Sequence, residues 1–155
     1  MLNRLLPRQF DNNYHGSKVA LGLFGLLLLL KVVMGINSIF NTDSVAKFAD
    51  GIPLDAFPPA AAESIVALFA RVGIANLMIC LLGLVVLLRY RDMVPLMFAL
   101  LLLEHLARGL MLLILPVVRI GTPAGFYVNL VLLIVMLAGL VLSLFSRNAP
   151  PEQTT

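Results

Sequence analysis

The sequence predicts an all-α integral membrane protein: an antiparallel four-helix bundle with a short amphipathic helix in the first extracytoplasmic loop. Three observations carry this. Of the 155 residues, 61% are hydrophobic and 12% charged, where a soluble domain would carry roughly 25% charged residues. The apolar residues are gathered into four runs of about 20 residues or more, the length that crosses ~30 Å of hydrocarbon at 1.5 Å per residue. The basic residues also alternate between the connecting segments in the way four spans require. One transmembrane domain covers 1–155, with polar tails at 1–17 and 147–155.

The first run extends over 19–39, and its core, Leu21–Leu30, reads LGLFGLLLLL. Arg4 and Arg8 would suit the basic flank of a signal peptide. The apolar stretch is too long for one, however, and no small-x-small cleavage site follows it. The second run, 60–88, follows Pro58 and Pro59, which suit a helix start because the first N–H groups have no partner within the helix. In the third run, 94–115, Asp92 can cap the N-terminus, Pro95 falls in the first turn, where proline is tolerated, and Pro116 stops the helix. The fourth, 124–145, takes Thr122 as N-cap and Pro123 as its first helical residue.

The connections are unequal. Arg89-Tyr90-Arg91-Asp92 and Pro116 to Pro123 are short, so helices two, three and four are expected to pack as sequential antiparallel neighbours. The first connection, Asn41 to Pro59, is long. Within it Asp43 can cap a short amphipathic turn, with Val45 and Phe48 on one side and Gly51 ending it.

Arg4, Arg8 and Lys18 precede the first run, Arg89 and Arg91 lie in the second connection, and Arg147 follows the last run. The first connection has Lys47 among Asp43, Asp50 and Asp55, and the third has Arg119 alone. The positive-inside rule then puts both termini in the cytoplasm and the long loop outside.

The runs are not uniformly apolar. They contain Lys31, Arg71, Glu104, His105 and Arg108. A charge at the bilayer centre costs about 2.5–3.5 kcal/mol on insertion scales, so such residues usually face the bundle interior and carry function. Counted at 1.5 Å per residue, Lys31 and Arg108 lie about 4–5 Å outward of their span centres and Arg71 roughly 7 Å. Glu104 and His105 lie near the midplane. Three cations from three helices are therefore expected at one level. Glu104 and Arg108 share a face at i and i+4. Asn76 lies with Gly73, Cys80 and Gly83 on a small-residue face suited to helix packing, where an Asn can act as polar glue.

Three readings of this set are open. Glu104 can pair internally with Arg71, Arg108 or Lys31 and hold the bundle together. The set can bind a ligand, because one carboxylate leaves about two of three positive charges uncompensated. The candidate residues are Lys31, Arg71, Asn76, Glu104, His105 and Arg108, and the ligand an anionic lipid headgroup, a quinone carbonyl or a carboxylated substrate. Alternatively, Glu104 titrates in a proton-coupled small transporter.

Catalytic and metal chemistry have little support. Cys80 is the one cysteine, which leaves no intrachain disulfide and no CxxC pair. His105 can supply an axial nitrogen to haem, but a bis-His site needs a second histidine, and His15 precedes the first run. No His or Cys spacing suits zinc, no motif supports Ser-His-Asp catalysis, and no cofactor is predicted. The expected partners are membrane lipids, and a second copy or a larger membrane complex in which the chain is an accessory subunit. Nucleic acid is not among them.

The stretches FDNNYHGSKVAL before the first run, NSIFNTDSVAKFADGIPLDAF in the first loop and ALLLLEHLARGLMLL in the third resemble an uncharacterised bacterial family of four-helix inner-membrane proteins of DoxX-like type. The resemblance covers most of the chain. It implies a bacterial inner (plasma) membrane location and the four-helix fold. Relatives of DoxX proper are associated with quinone-linked sulfur oxidation, an activity that carries over to no residue here. Small multidrug transporters place their key Glu in helix one, disulfide-generating quinone reductases need several cysteines, and four-helix b-type cytochromes need paired histidines.

Overall fold

The computed structural model describes residue 14 and residues 16–145. Arg4, Arg8, His15 and Arg147 lie outside the described residues. Four long helices make up the fold: α1 (Lys18–Phe40), α2 (Pro59–Arg89), α3 (Val94–Ile114) and α4 (Ala124–Leu144). All four are long and apolar enough to cross a membrane, and they pack antiparallel, so the chain is a multi-pass membrane protein. At 1.5 Å per residue the 31-residue α2 is ~46 Å long. That exceeds ~30 Å of hydrocarbon, so part of α2 stands in the headgroup layer.

Local signals at the helix ends hold to within a residue or two. Ser17 accepts a hydrogen bond from the Val19 amide at 3.3 Å and caps α1. Pro59 opens α2, with Pro58 as its N-cap. Two expected caps are displaced. Asp92 belongs to a single 3-10 turn, Arg91–Met93, and Met93 is the N-cap of α3. Pro123, not Thr122, is the N-cap of α4. Its extended backbone (ψ 145°) leaves Ala124 as the first helical residue.

The packing order departs from the order in the chain. α1 makes the most extensive contact with α2 and also packs on α4, and α4 packs on α3. α2 and α3, joined by the tightest turn, touch much less. Side-chain size explains this. A Cβ on Gly73 of α2 would lie 3.0 Å from the Gly35 carbonyl oxygen of α1, so the two backbones meet there. Gly83 of α2 likewise receives Leu28 of α1, and Gly139 of α4 receives the Phe98 ring of α3. Small residues that let backbones approach are what associates helices in lipid, where the hydrophobic effect between them is absent. α4, which carries no charged residue, buries Leu132, Met136, Gly139 and Ser143 against its neighbours.

The bundle is packed at the end that carries the termini and open at the other. Phe24, Leu27, Val86, Val94, Met97, Phe98, Leu101 and Met136 belong to one buried cluster. Phe24 and Phe98 meet edge to face at 5.2 Å. Along α3 burial stops at Leu101, and every residue from Leu106 to Thr122 is exposed. The outer half of α3 therefore stands away from the other helices.

The long connection is folded. Thr42 donates to the Ser38 and Ile39 carbonyls, both at 2.9 Å, and turns the chain out of α1. A helical turn at Thr42–Ser44 runs into a π-helical segment, Val45–Ala49. Gly51 ends it with φ +70°. Ala46 points inward while Phe48 is exposed. Ala46, Ile52 and Leu54 form a small core with Ile65, Val66 and Phe69 near the start of α2. Asp43 is in the first turn but makes no cap, because its carboxylate pairs with Lys47 at 3.4 Å.

Gly73→Val should therefore lower the melting temperature of the purified protein, since the α2–α1 approach is backbone on backbone and cannot yield. An overpacking cost of about 1–3 kcal/mol is expected. Gly22→Val meets open space and should change stability by less than ~0.5 kcal/mol. Thermal unfolding in one detergent, followed by circular dichroism, compares the two.

Candidate functional site

Burial along α1 falls on Ala20, Phe24, Leu27, Leu28, Lys31 and Gly35. These share one helical face, so the stripe that builds the core also aims Lys31 into the bundle. Its side chain is 5% exposed. The ammonium donates to Asn76 Oδ1 of α2 at 3.2 Å and to Glu104 Oε2 of α3 at 3.1 Å. Asn76 Nδ2 donates back to the Lys31 backbone carbonyl at 2.8 Å. Asn76 thus links α2 to α1 twice, and Lys31 links α1 to α3.

Glu104 is 26% exposed and has both oxygens engaged, since Oε1 pairs with Arg108 Nη2 one turn further along α3. The Arg108 side chain is 50% exposed. A guanidinium has five N–H donors, so this single contact leaves most of them for other acceptors. His105 reaches the backbone of Asn129 on α4.

The four helices enclose a cavity of about 50 Å³ at this level. Lys31, Asn76, His105 and Arg108 line it, together with Ser38 and Asn129, which the candidate set lacked. A signal for both existed. Ser38 lies seven residues, two helical turns, beyond Lys31. Asn129 precedes Leu132, Met136 and Ser143 at helical spacing on the buried face of α4.

Arg71 is elsewhere. It is exposed, it does not line the cavity, and none of the ion pairs among the described residues includes it. It lies five residues, ~7.5 Å, nearer the loop end than Asn76. Counted from Arg89, it is ~27 Å along α2, close to the far edge of a ~30 Å hydrocarbon layer. Two cations rather than three share the cavity level. Glu104 pairs directly with both, and no second carboxylate among the described residues pairs with either.

The first connection covers one side of this region. The Ile120 amide donates to the Gly51 carbonyl at 2.8 Å, tying the first connection to the third. Gly125, at the start of α4, is so close that a Cβ there would lie 2.5 Å from the Ala49 carbonyl oxygen. Asp50 lies in this seam. Burial pushes its carboxyl above the usual carboxylate range, against the opposing pull of the Arg119 and Arg108 guanidiniums. On the exposed side of the loop, Lys47 pairs with Asp55 at 2.9 Å, and that bond raises the Lys47 ammonium.

Among the described residues no group of three or more His, Cys, Asp or Glu is placed to hold a metal ion. Cys80 is a buried free thiol. Compared with known proteins, the chain matches no family model, no curated sequence and no solved structure. The DoxX-like resemblance thus has no family match behind it.

Glu104→Gln should destabilise the protein by about 3 kcal/mol, because it leaves the Lys31 charge buried without its counter-ion. Arg108→Gln should cost less, because Glu104 keeps its bond to Lys31 and no buried charge is orphaned. Lys31→Met combined with Glu104→Gln should recover much of the first loss. Equal effects of the two single substitutions on the melting temperature would contradict this ranking.

Proposed function

We propose that this protein is a non-catalytic membrane protein that holds the oxygen-bearing end of an anionic, lipid- or quinone-like ligand between its four helices. The observation that carries this reading is the cavity beside Lys31, Asn76 and Arg108, where two cations face one carboxylate within the membrane-spanning region. Two cations that share one directly paired carboxylate at that depth favour an anionic partner. The lysine has a third N–H and the guanidinium further N–H groups for it. Phosphate and carboxylate oxygens are the matching acceptors.

The reading extends to location. Arg89 and Arg91 mark the termini end, while Lys47, Asp43, Asp50 and Asp55 mark the other. The positive-inside rule then puts both termini in the cytoplasm, and the DoxX-like resemblance implies a bacterial inner membrane. Asp55 is exposed on the outer loop. In intact cells an Asp55→Cys variant should react with a membrane-impermeant maleimide, and an Arg91→Cys variant should react only after lysis. The reverse pattern would invert the topology.

For the ligand, native mass spectrometry of protein released from mild detergent should show bound anionic lipid or quinone-derived acid. Lys31→Met and Arg108→Gln should each reduce the bound fraction at least ~3-fold, equivalent to about 0.65 kcal/mol at RT ≈ 0.59 kcal/mol. A wild-type protein that carries no anion under these conditions removes the basis of the proposal. If proton-driven transport by reconstituted protein proves to depend on Glu104, the site is a transporter's instead.

A further inference from the structure

We infer that the ligand is an acyl-chain amphiphile with a phosphate headgroup, and that it reaches the site sideways from the bilayer through the gap between α2 and the outer half of α3. The inference rests on the oxyanion reading above and names its ligand class and route.

Size comes first. About 50 Å³ is room for one or two water molecules, whose share of liquid volume is ≈ 30 Å³ each. Pockets that enclose a whole small molecule run to roughly 300–1,000 Å³. Only the polar tip of a ligand fits between the helices, and the rest must lie outside the cavity.

The shape of the bundle decides where outside is. Toward the water at the loop end, the first connection is tied to the third by the Ile120–Gly51 hydrogen bond and lies against Gly125 of α4. Sideways, α1 closes against α2 at Gly35 and Gly73. Among neighbouring helices, α2 and α3 make the slightest contact, well below that of α4 with α1 or α3. There α3 exposes every residue from Leu106 onward. Val72 lines the cavity and is 52% exposed, so it stands at the mouth.

The charges at this mouth select the occupant. Arg108 lines the cavity and is half exposed, with lipid as its surroundings at that depth. Arg71 is exposed on α2 about one turn and a half nearer the headgroups. A guanidinium left in hydrocarbon is costly, and a phosphate that accepts several of its N–H groups removes that cost. Leu100 and Met111, one turn before Glu104 and one turn after Arg108 on the same face of α3, are exposed and offer an apolar wall for acyl chains. A free inorganic anion would satisfy the cations but leave this wall unused. A second copy of the chain would cover the wall but bring Arg71 and Arg108 of both copies into a like-charged interface.

The test uses the full chain in nanodiscs of dioleoylphosphatidylcholine with 5% radiolabelled dioleoylphosphatidic acid, and inorganic phosphate as soluble competitor. The expected result is that wild-type protein retains phosphatidic acid at least ~10-fold over phosphatidylcholine. Millimolar inorganic phosphate should displace little of it. Val72→Trp, and Ala75→Trp as a second variant on the exposed face of α2, should reduce retention several-fold. Leu137→Trp, exposed on α4, should leave it unchanged. Helical circular dichroism and a monodisperse elution profile show which variants are folded. If phosphate competes fully and the tryptophan variants bind normally, the lateral route is overturned while the oxyanion site stands. If neither lipid nor phosphate binds, both readings fall. Cross-linking that captures a symmetric dimer through α3, with phosphatidic acid excluded, also overturns the inference, because a second copy then occupies the gap.

Discussion

A lysine buried in the middle of a membrane bundle must be neutralised where it stands, and the loop-side half of this protein is organised by that requirement. Lys31 sits on the same face of α1 as Ala20, Phe24, Leu27 and Gly35, so it cannot turn to lipid without turning the core stripe as well. Its ammonium therefore recruits Asn76 from α2 and Glu104 from α3. These are polar links between helices that the apolar surfaces alone would not specify, since lipid tails compete equally well for leucine. Arg108 then takes the other oxygen of Glu104, so two cations share one directly paired carboxylate.

The two ends of the bundle solve different problems. At the termini end, glycine and aromatic residues interlock: the Phe98 ring fills the space over Gly139 and meets Phe24 edge to face. Loss of one such contact leaves a void that no water fills. At the loop end, polar groups and a small cavity take the place of the packed core, and α3 leans away. The packed half fixes the helix directions, while the open half leaves α3 exposed beside the cavity.

The outer loop belongs to the same design. It has its own small core of Ala46, Ile52 and Leu54 against α2, and it reaches α4 through Gly51 and Gly125. Both glycines are needed for distance or backbone angle: Gly51 has φ +70°, and a side chain at Gly125 would strike the Ala49 carbonyl. The loop is thus a fixed cover over part of the bundle, with Asp50 held in its seam near Arg119 and Arg108.

Much of this was legible in the sequence, and the reasons are specific. Span number and approximate ends follow from run length and proline position, because hydrocarbon thickness sets the one and the missing N–H of proline the other. The small face of α2 and the shared face of Glu104 and Arg108 follow from helical periodicity, which determines angle around an axis. Periodicity says nothing about which helix occupies that angle. Only the tertiary structure decided that Lys31 and Arg108, not Arg71, share Glu104, that α1 rather than α3 is the main neighbour of α2, and that Ala46 rather than Phe48 turns inward. Absolute depth was undetermined for a related reason. α2 outruns the hydrocarbon, so counting from its centre set Arg71 too deep, and counting from Arg89 places it near the boundary.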